Sequence, residues 1–342
     1  MKELARIVVF AVAVGLLPFV TSSGVVLNLV IMILYAALLG QAWNILAGFG
    51  GQFSFGHAVF FGTGAYAAAV LQTGFGWNAW LTLPAALAAG AAVGAFIGAL
   101  CFRYGLRGSY FALVTLAFAE VFRILANNVP FTGAGVGLMV KLATGAAHFQ
   151  FADKAGYLYV MLAFVVTGLG LSAWLKHSRY GAWLQAVRDN ESSAAALGVN
   201  VFRVKLAAIV LSGALTAAAG VFYVQYFQYI DPGLAYGPSV SIEALLGPIV
   251  GGLGTVWGPV LGAAALQILG NATRSLFAGT PGVSLMLYGA LLVLMIMFLP
   301  QGLIGLARPS ARAREKDRAA TPAAAPSDGS AAAAATRDGP PA

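Results

Sequence analysis

The chain is 342 residues long, 60% hydrophobic and only 9% charged, with a mean hydropathy of +0.85. A soluble domain is about 45–50% apolar and about 25% charged, so this composition excludes a soluble globular protein and specifies one that crosses a membrane many times. The net charge of +8 belongs to Lys and Arg residues flanking apolar spans. Nothing soluble is large enough to carry a basic binding face, so no nucleic-acid partner is expected.

A helix needs about twenty apolar residues to cross a bilayer. On that rule the fold class is all-α, a polytopic integral membrane protein with about ten transmembrane helices. They fall near residues 5–21, 25–46, 56–72, 80–102, 110–127, 156–175, 204–228, 239–252, 256–277 and 283–299. The first span follows Lys2 and Arg6 as a signal peptide would. It lacks a small-x-small cleavage pattern and more spans follow, so it reads as an uncleaved helix. Residues 1–306 form the membrane domain, in contact with lipid. Residues 307–342 are rich in Ala, Pro, Ser and Arg, cannot bury a core, and read as a disordered cytoplasmic tail.

With the N-terminus inside, even-numbered spans end inside. Arg103, Arg107, the polar stretch 176–205 and the tail with Arg308, Arg312, Arg314, Lys316 and Arg318 then lie in the cytoplasm. The outside receives Lys141, Asp153, Lys154 and Asp231. That bias follows the positive-inside rule and puts both termini in the cytoplasm.

Residues 50–64, GGQFSFGHAVFFGTG, are unusual at membrane depth. Two readings are open. The glycines break a helix beside a wet cavity, so that Gln52, Ser54 and His57 face a translocation path; or they serve close packing between helices. His57 has no second histidine or carboxylate nearby in sequence, and no metal is expected. Cys101, the single cysteine, excludes an intrachain disulfide and sits in an apolar run as a packing residue. Residues 251–263, GGLGTVWGPVLGA, echo 50–62, either as an internal duplication or as a chance recurrence of Gly-rich turns.

Glu120 and Arg123 lie three apart on one helix face and can pair, either to stabilise the bundle or to meet the transported solute. Glu243 has no cation nearby in sequence; it meets one on another helix or lies near the outer surface. Ser212, Thr216, Tyr223 and the run from Gln225 to Gln228 line a wet route or bond helix to helix, and Asn28, Gln41, Asn44, Gln267 and Asn271 form no diagnostic cluster. The external segment 127–155 carries NNVPFTGAGVGLMV, in which Pro130 prevents a simple helix. It covers the outer mouth, meets an external partner, or merely connects.

No G-x-x-x-x-G-K-[ST] loop occurs, so ATP is not bound in that mode. GTGAYA (62–67) and GLGLSA (168–173) lack a preceding strand and read as packing. No H-E-x-x-H or G-x-S-x-G occurs, and neither catalytic residues nor a cofactor are expected.

The stretch 176–205, KHSRYGAWLQAVRDNESSAAALGVNVFRVK, is the only long polar segment between the first and last spans. Its Lys176, Arg179, Arg188, Arg203 and Lys205 outnumber Asp189 and Glu191, which places it in the cytoplasm. Residues 190–198 read as one short helix, capped by Asn190 or Ser192 and ended by Gly198 in a left-handed turn. Such a helix, held by two spans, suits docking to a soluble partner.

The runs AWNILAGFGGQFSFGHAVFFGTGAYAAAVL, RGSYFALVTLAFAEVFRIL, SRYGAWLQAVRDNESSAAALGVNVFRVKL and GGLGTVWGPVLGA together resemble the LivM-type permease of branched-chain amino-acid ABC importers. The match runs in order from Leu27 to Leu306. The resemblance implies a non-enzymatic subunit of a bacterial inner-membrane importer. Its partners would be a LivH-type permease, two ABC ATPase subunits that hydrolyse ATP, and a periplasmic substrate-binding protein. It also implies that 176–205 carries the ATPase-coupling helix, with Arg188, Asp189, Glu191, Ala194 and Gly198 as its working residues. The family's E-A-A-x-x-x-G pattern falls on Ser192 to Gly198; Ser192 stands at the Glu position, with Glu191 adjacent. The implied cargo is leucine, isoleucine and valine. Urea, short amides or other small solutes are the alternative, and an ion-coupled carrier using Glu120, Arg123 and Glu243 is a further one.

Overall fold

The computed structural model describes residues 2–21, 23–142, 145–277, 286, 287, 289, 290, 293, 297 and 302–306. Apolar runs become helices because in lipid only a helix satisfies every backbone N–H and C=O within one segment. The order is α1 (Lys2–Gly15), α2 (Leu17–Val20), α3 (Gly24–Asn44) continued by a π-helical turn Ile45–Phe49, α4 (His57–Phe75), α5 (Ala79–Arg103), α6 (Gly108–Asn128) and α7 (Lys154–His177). Then come α8 (Arg179–Asp189), α9 (Glu191–Ala196), α10 (Val201–Phe227), α11 (Pro232–Ala235), α12 (Pro238–Gly251) and α13 (Gly258–Leu276).

Among the described residues, eight helical stretches are long and apolar enough to cross a membrane. They coincide with the first eight expected spans; α11 and α12 together supply the eighth, Pro232–Gly251. The ninth expected span is the helix α13, but Gln267, Asn271, Thr273 and Arg274 leave it too polar to join that group. The expected span 283–299 lies largely, and the tail 307–342 wholly, outside the described residues.

The centre of the bundle is α10, on which α5 and α4 pack along their length. Glycines at four-residue spacing on α5 set that approach. A Cβ on Gly90 would lie 2.5 Å from the Ala217 Cβ, and one on Gly94 2.9 Å from the Ile209 carbonyl. This is the small-xxx-small device that lipid-embedded helices use because lipid provides no hydrophobic drive for helix pairing. The α12–α13 crossing is closer still: a Cβ on Gly262 would lie 1.8 Å from the Gly247 carbonyl oxygen. By contrast α1 and α6 are peripheral and keep most of their apolar side chains on the outside of the bundle.

At the end of the bundle away from 176–205, residues 129–142 and 145–153 between α6 and α7 form a cap. Leu138–Met139 (β1) pairs antiparallel with Tyr229–Ile230 (β2). Asn78 Nδ2 and Trp80 Nε1 donate to the carbonyls of Ala147 and Ala146 at 2.7 and 2.8 Å, and Trp80 stacks on Phe149 at 4.5 Å.

Gly262→Val inserts two methyl groups and a Cβ where the facing backbone already touches. We expect it to destabilise the bundle by about 3 kcal/mol or to prevent folding; a monodisperse peak with an unchanged Tm in detergent would contradict the tight crossing.

Candidate functional site

The polar residues picked out in the sequence divide between three places. The first is a seam at the end of the bundle that carries 176–205. There the chain leaves the π-turn, runs irregularly through residues 50–56, and starts α4 at His57. The echoing run breaks in the same way between α12 and α13: α13 starts at Gly258, the position equivalent to His57. Broken backbone at membrane depth must find partners outside the helical ladder.

Side chains of α3 supply those partners. Asn44 Oδ1 accepts from Gly254 N–H at 2.9 Å while its Nδ2 donates to the Thr255 carbonyl at 2.9 Å. Gln41 Nε2 donates to the Val256 carbonyl at 2.8 Å, and Gln41 Oε1 accepts from Ser172 of α7 at 2.6 Å. Trp43 Nε1 donates to the Ser54 carbonyl at 2.8 Å. On the first break, Thr115 Oγ1 accepts from Phe55 N–H at 3.2 Å and Ser241 Oγ from Ala58 N–H at 3.0 Å.

Ser54 and His57 belong to this seam. Ser212 Oγ donates to the Ala42 carbonyl at 2.7 Å, so His57 Nε2 is the donor of its 2.8 Å bond to Ser212, and Nδ1 faces the Ser54 hydroxyl at 3.3 Å. Both side chains are completely enclosed by protein. Gln52 Nε2 donates to the Gly50 carbonyl at 3.3 Å and its Oε1 is buried without a partner.

The second place is the polar stretch 176–205. It holds two helices, α8 and α9, where one was expected. Ser178 caps α8 through Gly181 N–H at 3.0 Å, and Asn190 caps α9 through Ser193 N–H at 3.0 Å. A Cβ on Gly181 would lie 1.5 Å from the Leu175 carbonyl oxygen, so α8 folds tightly back on the end of α7. The Tyr180 hydroxyl donates to the Val204 carbonyl at 2.8 Å, and burial pushes that phenol above its ordinary range, so it stays a donor. Arg188 Nη1 donates to the Gly48 carbonyl at 3.0 Å, and its Nε pairs with Asp189 at 3.1 Å. The guanidinium thus sits at the negative end of α3 and its π-turn, where a cation is favoured. Ala194 is buried, and Gly198, at φ +85°, ends α9 in the left-handed region. Glu191 pairs with Arg107 at 2.8 Å and with Lys205.

The third place is the outer surface of α6. Arg123 Nε donates to Glu120 Oε2 at 2.9 Å, and the pair faces away from the bundle with its side chains 35% and 51% exposed. Glu243, half-buried on α12, accepts from Gln267 Nε2 of α13 at 3.2 Å. Among the described residues it forms no ion pair, and residues 275–307 contain no Lys or Arg. A small cavity of about 110 Å³ at the capped end is lined by Gln72, Trp77, Lys141 and His148 among others. Among the described residues no three His, Cys, Asp or Glu side chains gather as a metal site would need.

The sequence profile of the family described as branched-chain amino acid transport system / permease component matches residues 25–296. The chain belongs to that family. This permease is 29% identical to the high-affinity branched-chain amino acid transport system permease protein LivM of Salmonella typhimurium, over 85% of this chain and 72% of that one. It is 24% identical to LivH, a permease protein of the same transport system in Escherichia coli, over 79% and 91%. The ribose import permease protein RbsC of Escherichia coli is 28% identical, over 63% and 66%. No solved structure matches the permease. Its residues are accordingly those of a transport subunit in a multi-pass membrane protein.

Leu197 and Lys205 of this permease escaped the sequence reading as site residues. Leu197 resembled one more apolar residue and Lys205 one more basic one; only their opposite burial, 85% and 3% exposed, separates them.

Asn44 of the permease reaches from α3 to satisfy two groups of the second break. Asn44→Leu leaves Gly254 N–H and the Thr255 carbonyl unpaired, which costs about 2 kcal/mol and lowers the Tm by about 5 °C. A thermal shift in detergent checks this; an unchanged Tm would show that the seam does not hold the breaks.

Proposed function

We propose that this permease forms half of the membrane unit of an ABC importer in a bacterial inner membrane, with both termini cytoplasmic, and that α8 and α9 form its ATPase-coupling site. The other half is a LivH-type permease, two ABC ATPase subunits drive the unit from the cytoplasm, and a periplasmic substrate-binding protein delivers leucine, isoleucine or valine. The relatives named LivM and LivH support the pairing. Arg103, Arg107, Lys176, Arg179, Arg188, Arg203 and Lys205 share the α8–α9 end of the bundle, which supports the orientation.

The observation that carries the reading is the division of labour within α9. Its inward residues hold it: Asn190 caps it, Ala194 packs beneath it and Gly198 turns the chain away. Its outward face is small and polar, Ser192, Ser193, Ala195 and Ala196, and ends in Leu197, an apolar side chain 85% exposed. An exposed leucine beside small residues is what a shallow groove on a soluble subunit accepts. Arg188 and Asp189 at the end of α8 then link docking to the π-turn at Gly48, just before the break. ATP binding would close the ATPase pair and shift this segment, and with it α7 and α10, between outward and inward access.

The path runs along α6. A Glu–Arg pair turned to lipid is costly, at about 2.5–3.5 kcal/mol per charge on insertion scales. The second permease covering that face, with Glu120 and Arg123 lining a wet route between the two subunits, removes the cost. Glu243, which forms no ion pair among the described residues, suits a path residue for the substrate's ammonium side. Gln52, Ser54 and His57 support the cytoplasmic end of the route as part of the seam. The periplasmic protein docks on the paired strands β1 and β2, which join the two external segments 127–155 and 229–238. A ribose permease among the relatives is consistent with cargo chosen by the binding protein and not by the bundle. Ligand screening of that partner distinguishes branched-chain amino acids from urea or short amides.

Leu197→Asp places a charge in the docking face without straining the backbone, whereas any side chain at Gly198 would disturb α9 itself. We expect the variant to keep its Tm but to lose co-purification with the ATPase subunits and most ATP-driven leucine uptake. Normal uptake in proteoliposomes would sink the docking site. Glu120→Leu with Arg123→Leu distinguishes path from lipid: a path pair loses uptake when made apolar, and a lipid-facing pair gains stability and keeps transport.

A further inference from the structure

Resting on the docking reading above, we infer that Glu191 works inside the permease, as a strut that ties the coupling helix to α10 and to the α5–α6 turn so that the three move together. Both oxygens of its carboxylate are engaged within the chain. Oε1 meets the Lys205 ammonium and Oε2 meets Arg107 Nε at 2.8 Å. The Glu191 side chain is only 13% exposed, which leaves little of it for a soluble subunit.

Each partner stands on a different element. Lys205 lies in the first turns of α10 with its side chain 4% exposed. Its ammonium sits 5.5 Å from the centre of the Phe102 ring at the end of α5. Phe102 stacks on Phe111, in the first turn of α6, at 5.2 Å. Arg107 is the residue immediately before α6. One carboxylate therefore joins α9 to α10 directly and to α5 and α6 through the basic residue and the ring pair.

Little else holds α9. Its one buried side chain is Ala194, and it is flanked by the extended residue Asn190 and the left-handed Gly198, both of which are natural hinges. Removing the carboxylate leaves a buried ammonium without its partner, an unfavourable state that only rearrangement relieves. With the strut intact, a push on α9 reaches α10 and the path helix α6; without it, α9 swings on its hinges and the push is lost.

The test uses the importer assembled from the full-length permease, its partner permease and both ATPase subunits, in proteoliposomes with the loaded binding protein. It reads leucine uptake per ATP hydrolysed, beside co-purification of the ATPases. Glu191→Gln and Lys205→Met should each retain the ATPases and hydrolyse ATP, but lower uptake per ATP about tenfold, with the double variant no worse than either alone. The exchange Glu191→Lys with Lys205→Glu should restore much of the ratio. Wild-type uptake per ATP in Glu191→Gln overturns the strut. Loss of the ATPases from Glu191→Gln, when Lys205→Met retains them, also overturns it and makes Glu191 a docking residue. A wild-type permease that never retains the ATPases fails the docking reading itself, and the strut with it.

Discussion

The structure depends on one constraint: backbone that leaves the helical ladder inside a lipid-embedded bundle has no water to bond. Among the described residues the chain does so at 50–56 and at 252–257, both times at the same end. The cost is met by side chains from helices far away in sequence. Gln41 and Asn44 of α3 reach residues more than two hundred positions on, and Thr115 and Ser241 reach back to the first break. Because these bonds are buried and directional, the two breaks cannot shift independently. They form a stiff junction where α3, α4, α12 and α13 meet.

That junction explains the position of the polar stretch 176–205. Arg188 reaches the Gly48 carbonyl, a Cβ on Gly51 would lie 2.5 Å from the Arg188 Cγ, and one on Gly50 3.1 Å from Leu184. Helix α8 is therefore seated on the break, and α9 hangs beyond it on a cap and a left-handed turn. A rigid seat with a small lever attached is the arrangement on which the proposed docking rests. At the same end Glu3 bonds Lys176 and Trp257, which ties α1 to α7 and to the second break.

The two faces of the bundle follow different rules. Where α5 meets α10 and α12 meets α13, glycines bring backbones into contact, and side-chain identity there is dictated by space. On α6 the opposite holds: large apolar residues such as Tyr110, Leu113 and Leu125 point outward together with a Glu–Arg pair. Apolar side chains suit lipid or protein equally, but the charged pair suits only a protein surface or water. The incomplete burial of α6 is what the proposed partner permease would complete.

The pattern of about twenty apolar residues per span was sufficient to find the first eight crossing helices, because lipid leaves the backbone no other regular solution. The left-handed Gly198 was equally legible, and the cap was narrowed to Asn190 or Ser192, since each acts within one turn of helix. Residues 179–189 did not show as a helix in the sequence: α8 is short and polar, and it is held by contacts with α7 and with the break. The polar character of α13 was visible residue by residue, but only its packing against α12 and α3 shows where those groups go. What His57 bonds to, which way Glu120 and Arg123 turn, and what pairs with Glu191 were decided by tertiary structure alone. Each depends on a partner tens or hundreds of residues away, and periodicity within one helix gives a direction in that helix without saying what stands opposite it.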